Sequence, residues 1–454
     1  MLYTEDPGGL ANKSRRGAVK GGQMAGQEEQ QAGGVLSAMA GRGDERDRIQ
    51  RKTLWILAIT QVIGTVGVGV APSIGILLAE EVTSSEVWAG LARTASTLGA
   101  ALFGVPLGNL AARFGRRVAL TSGWWLAALG GLLLVPAAQY NVVALLFLGL
   151  LLIGSGSAIS LQARFAATDL AQSAHKGRSL ALVVWVGTIG MVLGPNLGIP
   201  GQWLGTLTGL NVYAGAFLIA GLCMALAGVL IFIWLRPDPL LILQRDDATS
   251  PAAPRPARGG FGRIAEELRV NRRARYAVVA ILSAQIVMVS VMTMTPVHIT
   301  HHGGSVTLVG LTISLHILGM YALSPVVGFI ADRIGHRFAI GIGLVFFAGA
   351  LLAGGLWPQD MRWIMGSLIL LGLGWSFVNV AGSALFSTVV SDHSRASAQG
   401  GVDALSNLCA AGAALASGPL MAGTSFATLT LVAGLVLLPL LLQTLGGIRR
   451  TPAD

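Results

Sequence analysis

Charge is scarce in this sequence. Only 11% of its 454 residues are Asp, Glu, Lys or Arg, against ~25% in a soluble globular protein. At ~100–200 residues per domain this length would allow roughly two to four soluble domains. Thirty-one basic and 21 acidic side chains are too few to keep their surfaces dispersed. An ordinary soluble enzyme is excluded on that ground. A disordered chain is excluded too, because disorder needs low hydrophobicity and high charge, whereas 53% of these residues are hydrophobic and mean hydropathy is +0.68. Cysteine is almost missing. Cys223 and Cys409 each lie in an apolar segment and read as small packing residues. No disulfide framework follows, and no C-x-x-C or Cys/His spacing offers a metal site. No GxxxxGK[ST] run supports an ATP-driven machine. No nucleophile–base constellation suggests an enzyme, and no cofactor is implied. The first 52 residues hold no apolar core of a signal peptide and read as a flexible tail rich in Gly, Gln, Arg and Glu.

What is abundant is long apolar runs. A bilayer core of ~30 Å needs about 20 apolar residues per helix. Twelve such stretches occur, near 53–79, 87–107, 117–138, 141–165, 179–200, 211–235, 275–298, 305–329, 338–357, 362–390, 398–422 and 425–447. They are helix-length runs, unlike the ~10-residue alternating segments of an outer-membrane barrel. The expected fold is an all-α polytopic membrane protein with twelve transmembrane helices, and the lipid bilayer is its first partner. Sixty-two glycines suit close helix packing.

The net charge of +10 would point to nucleic acid in a soluble protein. Here it is distributed by loop. The tail 1–52 carries nine Lys and Arg, and the stretch 236–275 carries nine Arg. Arg113, Arg116, Arg117, Lys176, Arg178, Arg333, Arg337, Arg395, Arg449 and Arg450 follow even-numbered spans. The alternate loops hold Arg362 as their basic residue and carry Glu80, Glu81, Glu86 and Asp360. By the positive-inside rule both termini and the central loop are cytoplasmic, in a multi-pass protein of the cell membrane. No nucleic-acid partner is implied. The expected organisation is a tail at 1–52, a six-helix bundle at 53–235, a Pro-rich linker at 236–274, a second bundle at 275–448 and a tail at 449–454. The linker has an amphipathic-looking stretch, Phe261–Val270, that suggests a short surface helix.

The two bundles repeat each other. Gly108-Asn-Leu-Ala-Ala-Arg-Phe-Gly-Arg-Arg117 aligns with Gly328-Phe-Ile-Ala-Asp-Arg-Ile-Gly-His-Arg337, each after the second span of its half. Asp169 with Gly177 is echoed by Asp392 with Gly400, and Gly194-Pro195 by Gly418-Pro419. Parallel six-span repeats underlie alternating access, with the substrate at the interface of the halves. On these residues the chain resembles the major facilitator superfamily over roughly 50–450. The segment Gly190-Met-Val-Leu-Gly194-Pro195-Asn-Leu-Gly198 resembles the fifth-helix signature of its drug/proton antiporter-type exporters. The resemblance implies rocker-switch transport and no nucleotide site. Two departures stand out: Ala112 fills the acidic position of the first loop, and helix four has no central arginine, Arg164 lying near its end.

Gly108 and Gly328 would permit close helix approach, and Gly115 and Gly335 a tight turn. Arg113, Arg117, Arg333 and Arg337 can pair with acidic groups at helix ends, with Asp169 the natural partner in the first half and Asp392 in the second. Asp332 suits a neighbouring helix N-terminus. These residues read as a gate, or else as simple fixers of topology. Asp403, about one turn inside helix eleven, either replaces the carboxylate missing at Ala112 by pairing with Arg113, or serves the cavity as a proton or cation site.

Ionisable groups within spans are costly and are functional candidates. Arg93 in helix two either contacts substrate or pairs with Glu80, Glu81 or Glu86. His316 in helix eight could exchange protons, its ordinary pKa being ~6.5, or could be neutral and hydrogen-bonded. His298, His301 and His302 read as a solvated loop rather than a metal site, since no carboxylate or Cys supports them in sequence. Gln61, Gln285, Asn379 and Asn407 are polar positions near the midplane. Trp185 and Trp375 could line a cavity with Met288, Met292 and Met294. Such a cavity suits a lipophilic or amphipathic small molecule. The expected function is alternating-access transport of that molecule by a monomer, as proton-coupled export. An uptake permease or facilitator, or a transport-inactive sensor or scaffold on the same fold, are the alternatives.

Overall fold

In lipid, an apolar segment must satisfy its backbone groups internally, and helices do so throughout the described residues. The computed structural model describes residues 45–172, 175–248, 268–269, 271–390 and 392–448, without the side chains of 246–248, 392–397 and 447–448. Most of the tail 1–52, the linker stretch 261–270 apart from two residues, and the tail 449–454 lie outside the described residues. The chain divides into two compact units, Met1–Lys52 and Thr53–Asp454.

Among the described residues eleven helices are long and apolar enough to cross a membrane. Helix α1 is Glu45–Thr83. Glu86–Tyr140 is two spans joined at Gly115, here α2 (86–114) and α3 (116–140), which brings the crossings to twelve. Then follow α4 (Val143–Ala166), α5 (Lys176–Thr208) and α6 (Val212–Trp234). The second half is α7 (Arg272–His301), α8 (Val306–Ile334), α9 (His336–Leu356), α10 (Met361–Val389), α11 (Asp392–Gly423) and α12 (Phe426–Ile448). A short helix, Pro239–Ala248, opens the linker. It lies well before Phe261–Val270, where the sequence suggests a surface helix.

The starts are chemically marked. Asn211 accepts a hydrogen bond from the Ala214 amide at 2.7 Å, Ser305 from Leu308 at 3.2 Å, and Asp360 from Arg362 at 2.9 Å. Each satisfies an N–H that the first helical turn leaves unpaired. Three helices are interrupted, each at a proline. A π-helical turn spans Ala71–Gly75 in α1 around Pro72. A 3-10 turn spans Gly194–Leu197 in α5 around Pro195. Helix α8 breaks between Tyr321 and Ser324, just ahead of Pro325.

Each half has its own core. Trp124, Leu150 and Phe217 centre the first; Met292, Phe347 and Leu371 centre the second. Helices α9 and α12 keep Leu352, Leu431, Leu435 and Leu442 exposed, as the lipid-facing side of a bundle must. Ile76, Leu77 and Ala89 of α1 and α2 belong to the core of the other half. The halves are therefore sealed together at the end that carries the loops poor in basic residues.

Candidate functional site

The basic end is built around two glycines. Gly115 has φ +87° and Gly335 φ +105°, a region that side-chain-bearing residues rarely adopt. The turn at Gly115 directs Arg116, not Arg113 or Arg117, onto Asp169. Arg116 Nε and Nη2 donate to the carboxylate at 2.8 and 3.1 Å, and Nη1 donates to Gln162 at 3.0 Å. This fork-on-carboxylate pair ties α3 to the end of α4, inside one half. Arg113 is exposed. Arg117 lies over the Phe232 ring at 5.4 Å, and its backbone N–H donates to Asp238 at 2.7 Å. Asp238 also accepts from Leu240 at 3.0 Å and Leu241 at 3.3 Å. The carboxylate that the first loop lacks at Ala112 thus comes from the linker. It caps α3 and the linker helix together. An Asp placed just before Pro239 is the cap-then-proline signal that reveals it in sequence.

In the second half, Arg333 lies over Phe329 and Arg337 over Tyr276. Asp332 is exposed. Asp392 begins α11, but its side chain lies outside the described residues. The close approach expected at Gly108 and Gly328 is not made. A β-carbon at Gly108 would meet only Gln162 at 3.2 Å, and one at Gly328 nothing within 4 Å. The reason is that the basic end is open. Among the described residues no hydrogen bond joins the halves there, and Trp185, Asp403 and Asn407 are exposed.

The opposite end is closed by two helix pairs and one histidine. Thr94 Oγ1 of α2 donates to the Ala411 carbonyl of α11 at 3.1 Å. A β-carbon on Gly90 would lie 2.4 Å from the Ala414 carbonyl oxygen, so only glycine allows this approach. Across α5 and α8, Asn196 Nδ2 donates to Ser314 Oγ at 2.6 Å, and Ser314 donates to the Val192 carbonyl at 2.6 Å. The helix-five signature lies at this seam. Gly190 and Gly194 abut the α1 backbone, the Pro195 carbonyl abuts Gly310, and Gly198 abuts Val306. Of the three histidines, His301 and His302 are exposed, as a solvated loop requires, whereas His298 is not. His298 is buried, bonds the Pro358 carbonyl and stacks on Phe426, and His302 Nδ1 meets the His298 carbonyl at 2.9 Å. His301 faces Glu80 through Nε2 and Glu86 through Nδ1, the latter at 3.2 Å. Each ring nitrogen thus faces a carboxylate. It joins α7 to α1 and α2, a contact hidden by long sequence separation.

Between these ends lies a cavity of about 170 Å³ walled by both halves. Arg93, Met191, Gln285, Met288, Tyr321 and Trp375 are among its residues. The Pro72 turn of α1 and the break of α8 after Tyr321 both border it. Trp375 Nε1 donates to Gln285 Oε1 at 2.9 Å, and the Tyr321 ring stands edge-on to Trp375 with centroids 5.7 Å apart. Arg93 pairs with none of Glu80, Glu81 and Glu86.

His316 is fully buried one residue outside the lining. Its Nδ1 bonds the Leu368 carbonyl at 2.7 Å, and its Nε2 has no partner. It clamps α8 to α10. Gln61 is buried in α1 beside Gly187 of α5; Asn379 is half-buried in α10. Met292 lines the cavity, whereas Met294 is buried in the second core. Asp403 feels the positive charge of Arg164, across the halves, rather than that of Arg113. Among the described residues no group of three or more His, Cys, Asp or Glu could hold a metal.

Known proteins resemble this chain in sequence and fold. The family profile described as Major Facilitator Superfamily matches residues 54–305 and 298–453. An uncharacterised MFS-type transporter of Bacillus subtilis, YdeG, is 35% identical over 408 residues, 89% of this chain and 94% of the relative. The riboflavin transporter RfnT of Brucella anthropi is 29% identical over 400 residues, 87% of this chain and 96% of the relative. The crystal structure of the nucleoside transporter NupG superposes with TM-score 0.65 at 16% identity, covering 88% of this chain and 100% of that one. At that identity NupG carries the fold alone.

Proposed function

The chain belongs to the major facilitator superfamily of membrane transporters, and from that premise we propose that it moves a small amphipathic molecule by alternating access, as proton-coupled export. The observation that carries this reading is the cavity between the halves, sealed by α2–α11 and α5–α8 at one end, while Asp403 and Asn407 are exposed towards the other. Under the positive-inside rule the open, basic end faces the cytoplasm. On this reading the conformation is inward-open, with both termini and the linker inside, and the working unit is a monomer.

In the outward-open state the seal breaks and the basic end closes. Arg113, Arg333, Arg337, Asp332 and Asp392 are the charges available to hold it shut. Asp403 and Arg164 carry opposite charges on the two halves and would draw together in that movement. Asp403 is water-accessible from the open end, which makes it the first candidate for the coupling proton; His316, next to Arg93, is the second. A carboxylate that must be neutral to leave Arg164, and charged to pair with it, ties protonation to the state of the gate. Uptake is the second reading, since a cavity between two rocking halves serves either direction.

Proteoliposomes with an imposed pH gradient and a panel of amphipathic solutes test the proposal. Gradient-driven flux is expected, and Asp403→Asn is expected to abolish it while leaving solute exchange at zero gradient. Flux indifferent to the gradient contradicts proton coupling, and the sign of the effective gradient decides between export and uptake.

A further inference from the structure

We propose that the cavity contains an anion subsite, in which Arg93 holds the acidic group of an aromatic ligand whose ring lies against Trp375 and Tyr321. The inference deepens the transporter reading above and rests on it.

Arg93 is the charged residue of the cavity wall. Its guanidinium makes no hydrogen bond or ion pair among the described residues. Of the carboxylates on its own and the preceding helix, Glu80 and Glu86 are engaged by His301, and Glu81 makes no ion pair with Arg93 among the described residues. Asp403 makes no ion pair with Arg93 among the described residues. The titratable groups that do act on Arg93 are Tyr321 and His316, and neither is a carboxylate. Ser96, one turn along α2, spends its hydroxyl on the Arg93 carbonyl at 2.9 Å. A guanidinium has five N–H donors and cannot shed its charge. Held without a counter-ion inside a membrane protein it is costly, and such a group marks a ligand path. A planar fork of this kind is best satisfied by a carboxylate or a similar oxyanion.

The rest of the wall selects what bears the anion. The bond to Gln285 fixes the plane of Trp375, and Tyr321 stands across it at 68°, so the two rings form a rigid corner. Met191, Met288, Met292 and Met320 supply polarizable apolar surface beside it. An aromatic ring fits such a corner by stacking and edge contacts. A volume of about 170 Å³ is close to the ~150 Å³ that holds a single benzene-sized ring. The ligand class is therefore a small aromatic acid, or a larger molecule that presents such a moiety.

Binding of benzoate, benzamide and benzylammonium to the purified full-length protein, measured by calorimetry, tests this directly. Benzoate is expected to bind about 10- to 100-fold more tightly than benzamide, the range for a hydrogen bond to a charged group. Arg93→Gln is expected to erase that preference, and Arg93→Lys to keep part of it. Equal binding of acid and amide, preference for the cation, binding of none of the three, or an acid preference that survives in Arg93→Gln overturns the proposal. Labelling of Thr94→Cys separates this from failure of the transporter reading. That site is half-buried against α11 here, and parting of α2 and α11 exposes it. Labelling without charge selectivity sinks the anion subsite alone, whereas a site never labelled under any condition sinks alternating access itself.

Discussion

The Arg116–Asp169 pair shows how one backbone angle decides which side chain works. Three arginines, Arg113, Arg116 and Arg117, compete for one carboxylate. Gly115 at φ +87°, ψ 172° turns the chain so that the middle one reaches it and its neighbour Arg117 swings over Phe232. Sequence spacing identified the loop and the acid but named the wrong arginines, because rotation about a glycine is invisible in a motif. The side chains of the pair are only 12% and 8% exposed, so removing one partner leaves a nearly buried charge. Asp169→Asn is expected to lower stability by roughly 3–5 kcal/mol, read as the thermal melting point in detergent. Arg113→Gln is expected to change it little. Gly115→Ala forces a side chain into a glycine-only conformation, at about 1–3 kcal/mol, and its β-carbon would lie 2.4 Å from the Asp238 carboxylate. It should destabilise the protein and loosen the linker, detected as faster proteolysis there.

At the scale of helices, the seal depends on close approach rather than on charge. Gly90 brings α2 against the Ala414 backbone of α11, and no side chain can move aside to admit a β-carbon. Gly90→Val is expected to wedge that end open and to abolish transport while leaving each half folded. His301→Gln is a milder lesion. The His301 ring is 43% exposed, and exposed ion pairs contribute no more than about 1 kcal/mol each. The Thr94→Cys site should then label a few-fold faster, not orders of magnitude faster. The twelve spans are legible in sequence because apolar length alone demands a helix in lipid. The breaks are legible in part, since Pro72, Pro195 and Pro325 mark them. The partners of the histidines are not legible: His301 meets Glu80 across more than two hundred residues of chain, and only the packing of α7 on α1 and α2 brings them together.

At the scale of the molecule, the repeat of the Gly108–Arg117 loop at Gly328–Arg337 already implies two equivalent halves and a ligand between them. It does not reveal which end is closed, because both states share one sequence. Nor could it show that Arg93 lacks a counter-ion, which depends on where Glu80, Glu81 and Glu86 are drawn. Alternating access requires the halves to exchange which end they seal. Spin labels at Ser84 and Thr424, on the closed end, and at Arg178 and Gly400, on the open end, report both distances in one preparation. The account predicts reciprocal change on acidification or on adding a transported solute, the first pair moving apart as the second moves together. Distances that stay fixed, or that widen together, would contradict it.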